Sequence, residues 1–135
     1  PWDWQVSLYT FMLKTPGHPQ HRLITKMKNF DEYIDWRINT DFHLQKEAFY
    51  DENNVCLMDF IGKIETIDND FQHICRHIGI EASLPHSNRS RQNNTFLHYY
   101  SPGTLEAIYK AYYADVVAFG YEKPAYKESQ SLQAL

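Results

Sequence analysis

Only one stretch of this sequence, Val55-Cys56-Leu57-Met58-Asp59-Phe60-Ile61, reads as a buried strand: it is short, apolar and set between polar clusters. One strand makes no stable sheet by itself. Either the chain folds as an essentially helical body, or the strands that would pair with this run lie outside its 135 residues.

The rest is punctuated as helix and loop. Trp2, Val6, Tyr9 and Leu13 recur at helical spacing, which predicts a helix from Pro1 to about Leu13, with proline suited to its first position. Thr15-Pro16-Gly17-His18-Pro19 interrupts it. Asn29 followed by Glu32 forms a capping box for a helix presenting Phe30, Tyr33, Ile34 and Ile38. Thr40 to Tyr50 carries no clear period. Asp68 is expected to cap a helix bearing Phe71, Ile74, Cys75 and Ile78, which Gly79 ends in the left-handed conformation. Leu84 to Asn94 is polar and reads as a loop. Ser101-Pro102 opens one last helix with Leu105, Ile108, Tyr109, Tyr112, Val116 and Phe119 on its apolar face, closed by Gly120. Tyr126 to Leu135 reads as a tail.

Composition narrows the class. Apolar residues make up 43% of the chain, enough for a core, so disorder is excluded. The formal net charge is −4 and the 13 basic residues are scattered, so the basic stripe of a nucleic-acid binder is missing. No apolar stretch approaches a membrane span. Two cysteines, Cys56 and Cys75, make no disulfide framework. The chain opens on Pro1 rather than Met, so a longer parent is expected.

Three segments together resemble the sulfotransferase family, which uses 3′-phosphoadenosine-5′-phosphosulfate (PAPS), and within it the carbohydrate sulfotransferase branch. Pro1-Trp2-Asp3-Trp4-Gln5-Val6-Ser7-Leu8-Tyr9 is similar to a strand-to-helix stretch whose Arg and Ser grip the 3′-phosphate of PAPS. Ser7 matches the Ser, and the Arg would fall two residues before Pro1. Asp59 to Phe71 is similar to an Asp-x-Ile-Gly-x-x-Glu-x-Leu-x-x-Asp-Phe stretch. Leu84-Pro85-His86-Ser87-Asn88-Arg89-Ser90, Tyr99-Tyr100 and Phe119-Gly120-Tyr121 resemble a Leu-Pro-His-x-Asn-x-Ser loop, its following tyrosines and a closing Phe-Gly-Tyr.

The resemblance implies a mostly α chain with one or two short strands. It would be the C-terminal part of an α/β P-loop-type fold whose parallel sheet and flanking helices lie mostly upstream. Residues 1–125 would belong to that domain and 126–135 to a tail. It implies PAPS and adenosine 3′,5′-bisphosphate as ligands, a hydroxyl acceptor on a glycan, and no metal. Ser7, Asn88, Ser90 and Arg91 become the nucleotide-binding candidates, with Arg89 beside them. The compartment would be the cytoplasm for a bacterial protein and the Golgi lumen for a eukaryotic carbohydrate sulfotransferase. The phosphate loop and the catalytic base of relatives fall upstream, and no Gly-rich, Lys-containing loop occurs here, so the chain alone is expected to be inactive.

Other features have plainer readings. Asn88-Arg89-Ser90 and Asn93-Asn94-Thr95 are glycosylation sequons, relevant only in a secretory protein. His73 and His77 share a helix face but lack a third ligand, so a metal is not expected. Glu65 is expected to be structural, and Lys14, His18, His21 and Lys26 to be solvated. Trp2, Trp4, Tyr9 and Phe11 are expected in a core rather than as a base-stacking platform. A second class stays open: a non-enzymatic helical module binding a partner through an aromatic face, or a homodimer. The two differ in one respect. A fragment should leave an apolar face open around Trp2, Val6 and Val55 to Ile61, whereas a module should cover it.

Overall fold

A computed structural model describes residues 1–85 and 95–126. The helices are α1 (Trp2–Lys14), α2 (His21–Ile24), α3 (Phe30–Asn39), α4 (Ile67–Ile78), α5 (Pro102–Ala111) and α6 (Tyr113–Phe119). Short 3-10 turns occupy Gln45–Ala48, Ile64–Thr66 and Thr95–Tyr99. The chain divides into two compact units, one made of Pro1–Ala48 and Asn93–Leu135, the other of Phe49–Gln92.

In the first unit the capping signals hold. The Asn29 side chain accepts the backbone N–H of Glu32 at 3.0 Å. The Glu32 carboxylate reaches one residue further than the usual box, to the N–H of Lys28 at 2.7 Å. Ser101 and Thr104 close a reciprocal box at the start of α5. Trp2, Val6, Ile24, Phe30, Tyr33, Ile34, Tyr100, Leu105, Ile108, Tyr112 and Val116 form the buried core. An edge-to-face cluster of rings ties the elements together: Tyr9 to Phe30 at 5.1 Å, and Phe30 to Tyr100 at 5.0 Å. The aromatic richness of the sequence is therefore spent on packing.

The single helix expected from Ser101 to Phe119 is broken at Tyr112, where φ is −100° and ψ is 23°. No proline or glycine marks the break. The fully buried Tyr112 ring lies 5.0 Å from Phe42 and edge-on to Trp4 at 6.1 Å, so tertiary packing sets it. Gly120 ends α6 at φ 62°, as its position predicts.

The second unit corrects the strand expectation. Among the described residues there is no strand. One antiparallel bridge joins Tyr50 and Cys56 across a turn in which Asn54 takes φ 62°. The Asp51 carboxylate accepts the N–H groups of Asn53 and Val55 at 2.9 and 2.8 Å, which uses donors a ladder would need. Val55, Leu57, Met58 and Phe60 are all exposed. An apolar run becomes a strand only when a neighbour takes its hydrogen bonds, and the described run has one bridge, at Cys56.

The cap of α4 is also corrected. Thr66 occupies the N-cap position and Asp68 lies within the first turn. Asp70 does the fastening, accepting the Lys63 N–H at 2.8 Å and the Thr66 hydroxyl at 2.7 Å. A Cβ at Gly62 would meet the Asp70 Cβ at 3.3 Å, so a side chain there would have to push Asp70 aside by a few tenths of an ångström. These bonds, the Lys63 N–H first and the Thr66 hydroxyl second, hold the Asp70 carboxyl below its ordinary range. A depressed folded value stabilises above the unfolded one and is lost as pH falls through it. The expected result is that Asp70 titrates below about 3.9, the ordinary aspartate value, and that Thr66→Val moves it upward. Carbon-13 detection of the carboxyl groups measures this, and an Asp70 midpoint unchanged by the substitution would contradict it.

Candidate functional site

Ser7 lies in the second turn of α1. Gln5, two positions earlier, is completely buried, and at about 100° per residue the two side chains point to opposite sides of the helix. Ser7 is exposed, and its carbonyl accepts the Thr10 hydroxyl at 3.1 Å. The hydroxyl is therefore available to a ligand. The start of α1 has no side-chain cap, so its first N–H groups carry the favourable end of the helix dipole. Asp3 already places a carboxylate in that first turn, which opposes a second anion there.

The seat of α1 is firm. The Trp2 indole donates to the carbonyl of Leu105 at 3.2 Å, and the Tyr100 hydroxyl donates to the carbonyl of Trp2 at 2.9 Å. Burial, ahead of the neighbouring Tyr33, Tyr112 and Asp3, pushes the Tyr100 hydroxyl far above its ordinary value, so it stays a donor. Tyr100, one of the pair in the third resemblant segment, thus holds the helix that carries Ser7.

Trp2 and Val6 are closed in the core, 3% and 8% exposed, so the open apolar face expected there is absent. The expectation holds instead at Val55, Leu57, Met58 and Phe60. Phe11 departs from the core reading at 55% exposure.

Asn88, Ser90 and Arg91 lie outside the described residues, as do Arg89, the first sequon, the first two positions of the second, and the tail from residue 127. The histidines of the Pro-rich connection are structural: His21 Nδ1 donates to the carbonyl of Met12 at 2.8 Å, and His18 Nδ1 accepts the N–H of Gln20 at 3.1 Å. His73 packs its ring 5.2 Å from Phe60. Among the described residues no three His, Cys, Asp or Glu side chains come together as metal ligands, and no helix is long and apolar enough to cross a membrane. Glu65 sits exposed in the turn Ile64–Thr66.

Sequence reasoning missed the buried polar residues of the first unit. Gln5 and Asp115 are fully buried and Arg37 is 5% exposed. Asp115 accepts the N–H groups of Gln45 and Lys46 at 2.8 and 2.9 Å and so anchors the turn Gln45–Ala48 from 70 and 69 residues away. Arg37 pairs with Asp41 and lies over the Trp4 ring at 5.4 Å. Each stands at a position whose helical period would have put it inside, which was the available signal.

The comparisons with known proteins agree with the resemblance. The model of the sulfotransferase family matches residues 14–122. Carbohydrate sulfotransferase 12 of Mus musculus is 30% identical over 112 residues, which cover 71% of this chain and 26% of that protein. The chain thus spans about a quarter of the length of that relative. No solved structure matches it. The second and third resemblant segments fall within the matched residues, whereas Ser7 precedes them.

Proposed function

Because the chain belongs to the sulfotransferase family, we propose that it is the C-terminal portion of an enzyme that moves a sulfuryl group from PAPS to a carbohydrate hydroxyl. The observation that carries this is the match over residues 14–122, joined to the likeness to a carbohydrate sulfotransferase. In this reading Ser7 gives one hydroxyl hydrogen bond to the 3′-phosphate, and Asn88, Ser90 and Arg91 close over the nucleotide. Arginine suits that role because its planar fork is always charged and grips phosphate at two points.

The reaction, by analogy with phosphoryl transfer, asks for an in-line arrangement and stabilisation of charge more than for covalent help from the protein. The groups that would hold the 5′-phosphosulfate and take the acceptor's proton belong to sequence upstream of Pro1. Four exposed apolar residues between Val55 and Phe60 support the view that this chain is a portion of a larger body. The closed seat of Trp2 and Val6 favours the alternative of a self-sufficient partner-binding module, but only for the first unit.

Sulfate transfer from PAPS to a panel of glycan hydroxyls tests the reading. The chain alone is expected to give no turnover, and a form extended upstream is expected to give it. In that longer form Ser7→Ala should weaken adenosine 3′,5′-bisphosphate binding about tenfold, or roughly 1–1.5 kcal/mol for one hydrogen bond. Turnover by the chain alone would overturn the division of labour, and equal affinities by calorimetry would remove Ser7 from the nucleotide site.

A further inference from the structure

From Trp4 to Phe30 the chain holds no Asp or Glu, although 17 of its residues are acidic and its formal net charge is −4. Lys14, Arg22, Lys26 and Lys28 all lie in that stretch and all are exposed. None of their side chains makes an ion pair or a hydrogen bond. Every other described Lys or Arg is engaged. Arg37 has Asp41, Lys110 and Lys123 share Glu106, Arg76 bonds the carbonyl of Gln72, and Lys46 and Lys63 have partners of their own. The nearest carboxylates in sequence, Asp3, Asp31 and Glu32, stand at the two ends of the stretch.

Two large apolar side chains are exposed in the same stretch, Phe11 at 55% and Leu23 at 42%. Each has one of those cations three residues further on. Lys14 lies in the last turn of α1, and the Lys26 N–H continues the turn of α2 by bonding the carbonyl of Leu23 at 3.1 Å. Residues three apart on a helix share a face, so each apolar side chain stands beside a charge. The two pieces are fixed to each other by the bond from His21 to the carbonyl of Met12, and the Phe11 ring meets His18 edge-on at 5.7 Å. Cations beside exposed apolar side chains suit a surface that is anionic outside and apolar within. A bilayer of anionic lipid is such a surface: its headgroups take the cations, and Phe and Leu enter the boundary with the acyl chains. A soluble polyanion would meet the cations but leave Phe11 and Leu23 in water. The exposed run from Val55 to Phe60 lacks this pairing, because Asp51, Glu52 and Asp59 lie around and within it.

We propose that the segment from Phe11 to Lys28 is a membrane-contacting face, which rests on anionic lipid through Lys14, Arg22, Lys26 and Lys28 and inserts Phe11 and Leu23. The contact is peripheral and needs no spanning helix. It is independent of any nucleotide and stands whether or not Ser7 binds phosphate.

Co-sedimentation of the full 135-residue chain with lipid vesicles tests it. Binding is expected to equimolar phosphatidylcholine–phosphatidylserine vesicles and not to phosphatidylcholine alone, and it should weaken as salt rises. Binding to neither, or equally to both, would overturn the proposal. Arg22→Gln and Lys26→Gln should each weaken binding about fivefold, the effect of one basic residue near an anionic surface. Phe11→Ser combined with Leu23→Ser should weaken it about tenfold, through the lost burial of two apolar side chains. All four side chains are exposed, so these variants should keep the fold, which circular dichroism checks. Vesicle binding undiminished in the Phe11 and Leu23 variant would show charge acting alone, as on an acidic polysaccharide, and refute the membrane assignment. Binding that none of the substitutions alters would place the contact elsewhere on the chain and refute it equally.

Discussion

Asp115→Ala is expected to lower the stability of the chain by about 3–5 kcal/mol, because two charge-assisted hydrogen bonds of roughly 1.5–3 kcal/mol each disappear together. The carboxylate is completely buried, and its two oxygens take the N–H groups of Gln45 and Lys46. Alanine would leave those donors with no acceptor in a site that water reaches poorly. It would also free the turn Gln45–Ala48 from α6. Asp115→Asn should lose most of the same amount, since an amide has one acceptor oxygen and would aim its NH₂ at the second donor. Urea unfolding followed by far-ultraviolet circular dichroism measures both. A loss under about 1 kcal/mol for Asp115→Ala would mean that water replaces the carboxylate at little cost.

Trp2→Ala should cost a comparable amount, about 3–5 kcal/mol, the usual range for emptying a buried aromatic site. Trp2 is 3% exposed, donates its indole N–H to Leu105, accepts the Tyr100 hydroxyl at its carbonyl, and stacks on Tyr109 with ring centres 6.4 Å apart. Trp2→Phe keeps much of the apolar surface and the backbone carbonyl but removes the indole donor. Its loss should stay near 1–2 kcal/mol, one hydrogen bond plus a small cavity. The ordering of the two variants in thermal melts is the decisive readout. Equal losses would show that the indole hydrogen bond, rather than the filled volume, holds α1.

How much of this was legible beforehand varies with the range of the force involved. Most caps were legible because they are local: Asn29 with Glu32, Ser101, and the helix ends at Gly79 and Gly120 each act within a few residues, whereas Asp68 was read for the cap that Thr66 occupies. The break at Tyr112 was not legible, since its cause is two rings from distant segments. Nor was the role of Asp115, which reads as an acidic residue inside one continuous helix until the Gln45 and Lys46 amides are brought to it. The run from Val55 to Ile61 was misread for a related reason. Its composition suits a strand, but a strand is a property of two segments, and the described chain supplies a single bridge. Of the candidate site, Ser7 stands on an exposed helix face, and the partners assigned to it lie outside the described residues.

The first unit is assembled from two stretches of chain with Phe49–Gln92 between them. Its anchoring bonds span 103 residues from Trp2 to Leu105 and 98 from Tyr100 to Trp2. During synthesis, therefore, α1 emerges before α5 and waits for the part of its seat that α5 supplies. Until then the Trp2 indole lacks its Leu105 acceptor, although Tyr9 can already meet Phe30 and Tyr33 of α3, and closing so long a loop carries an entropic cost that grows only slowly with its length. Folding of the first unit should thus be slow for a mostly helical body, because the contacts that seat α1 are distant in sequence.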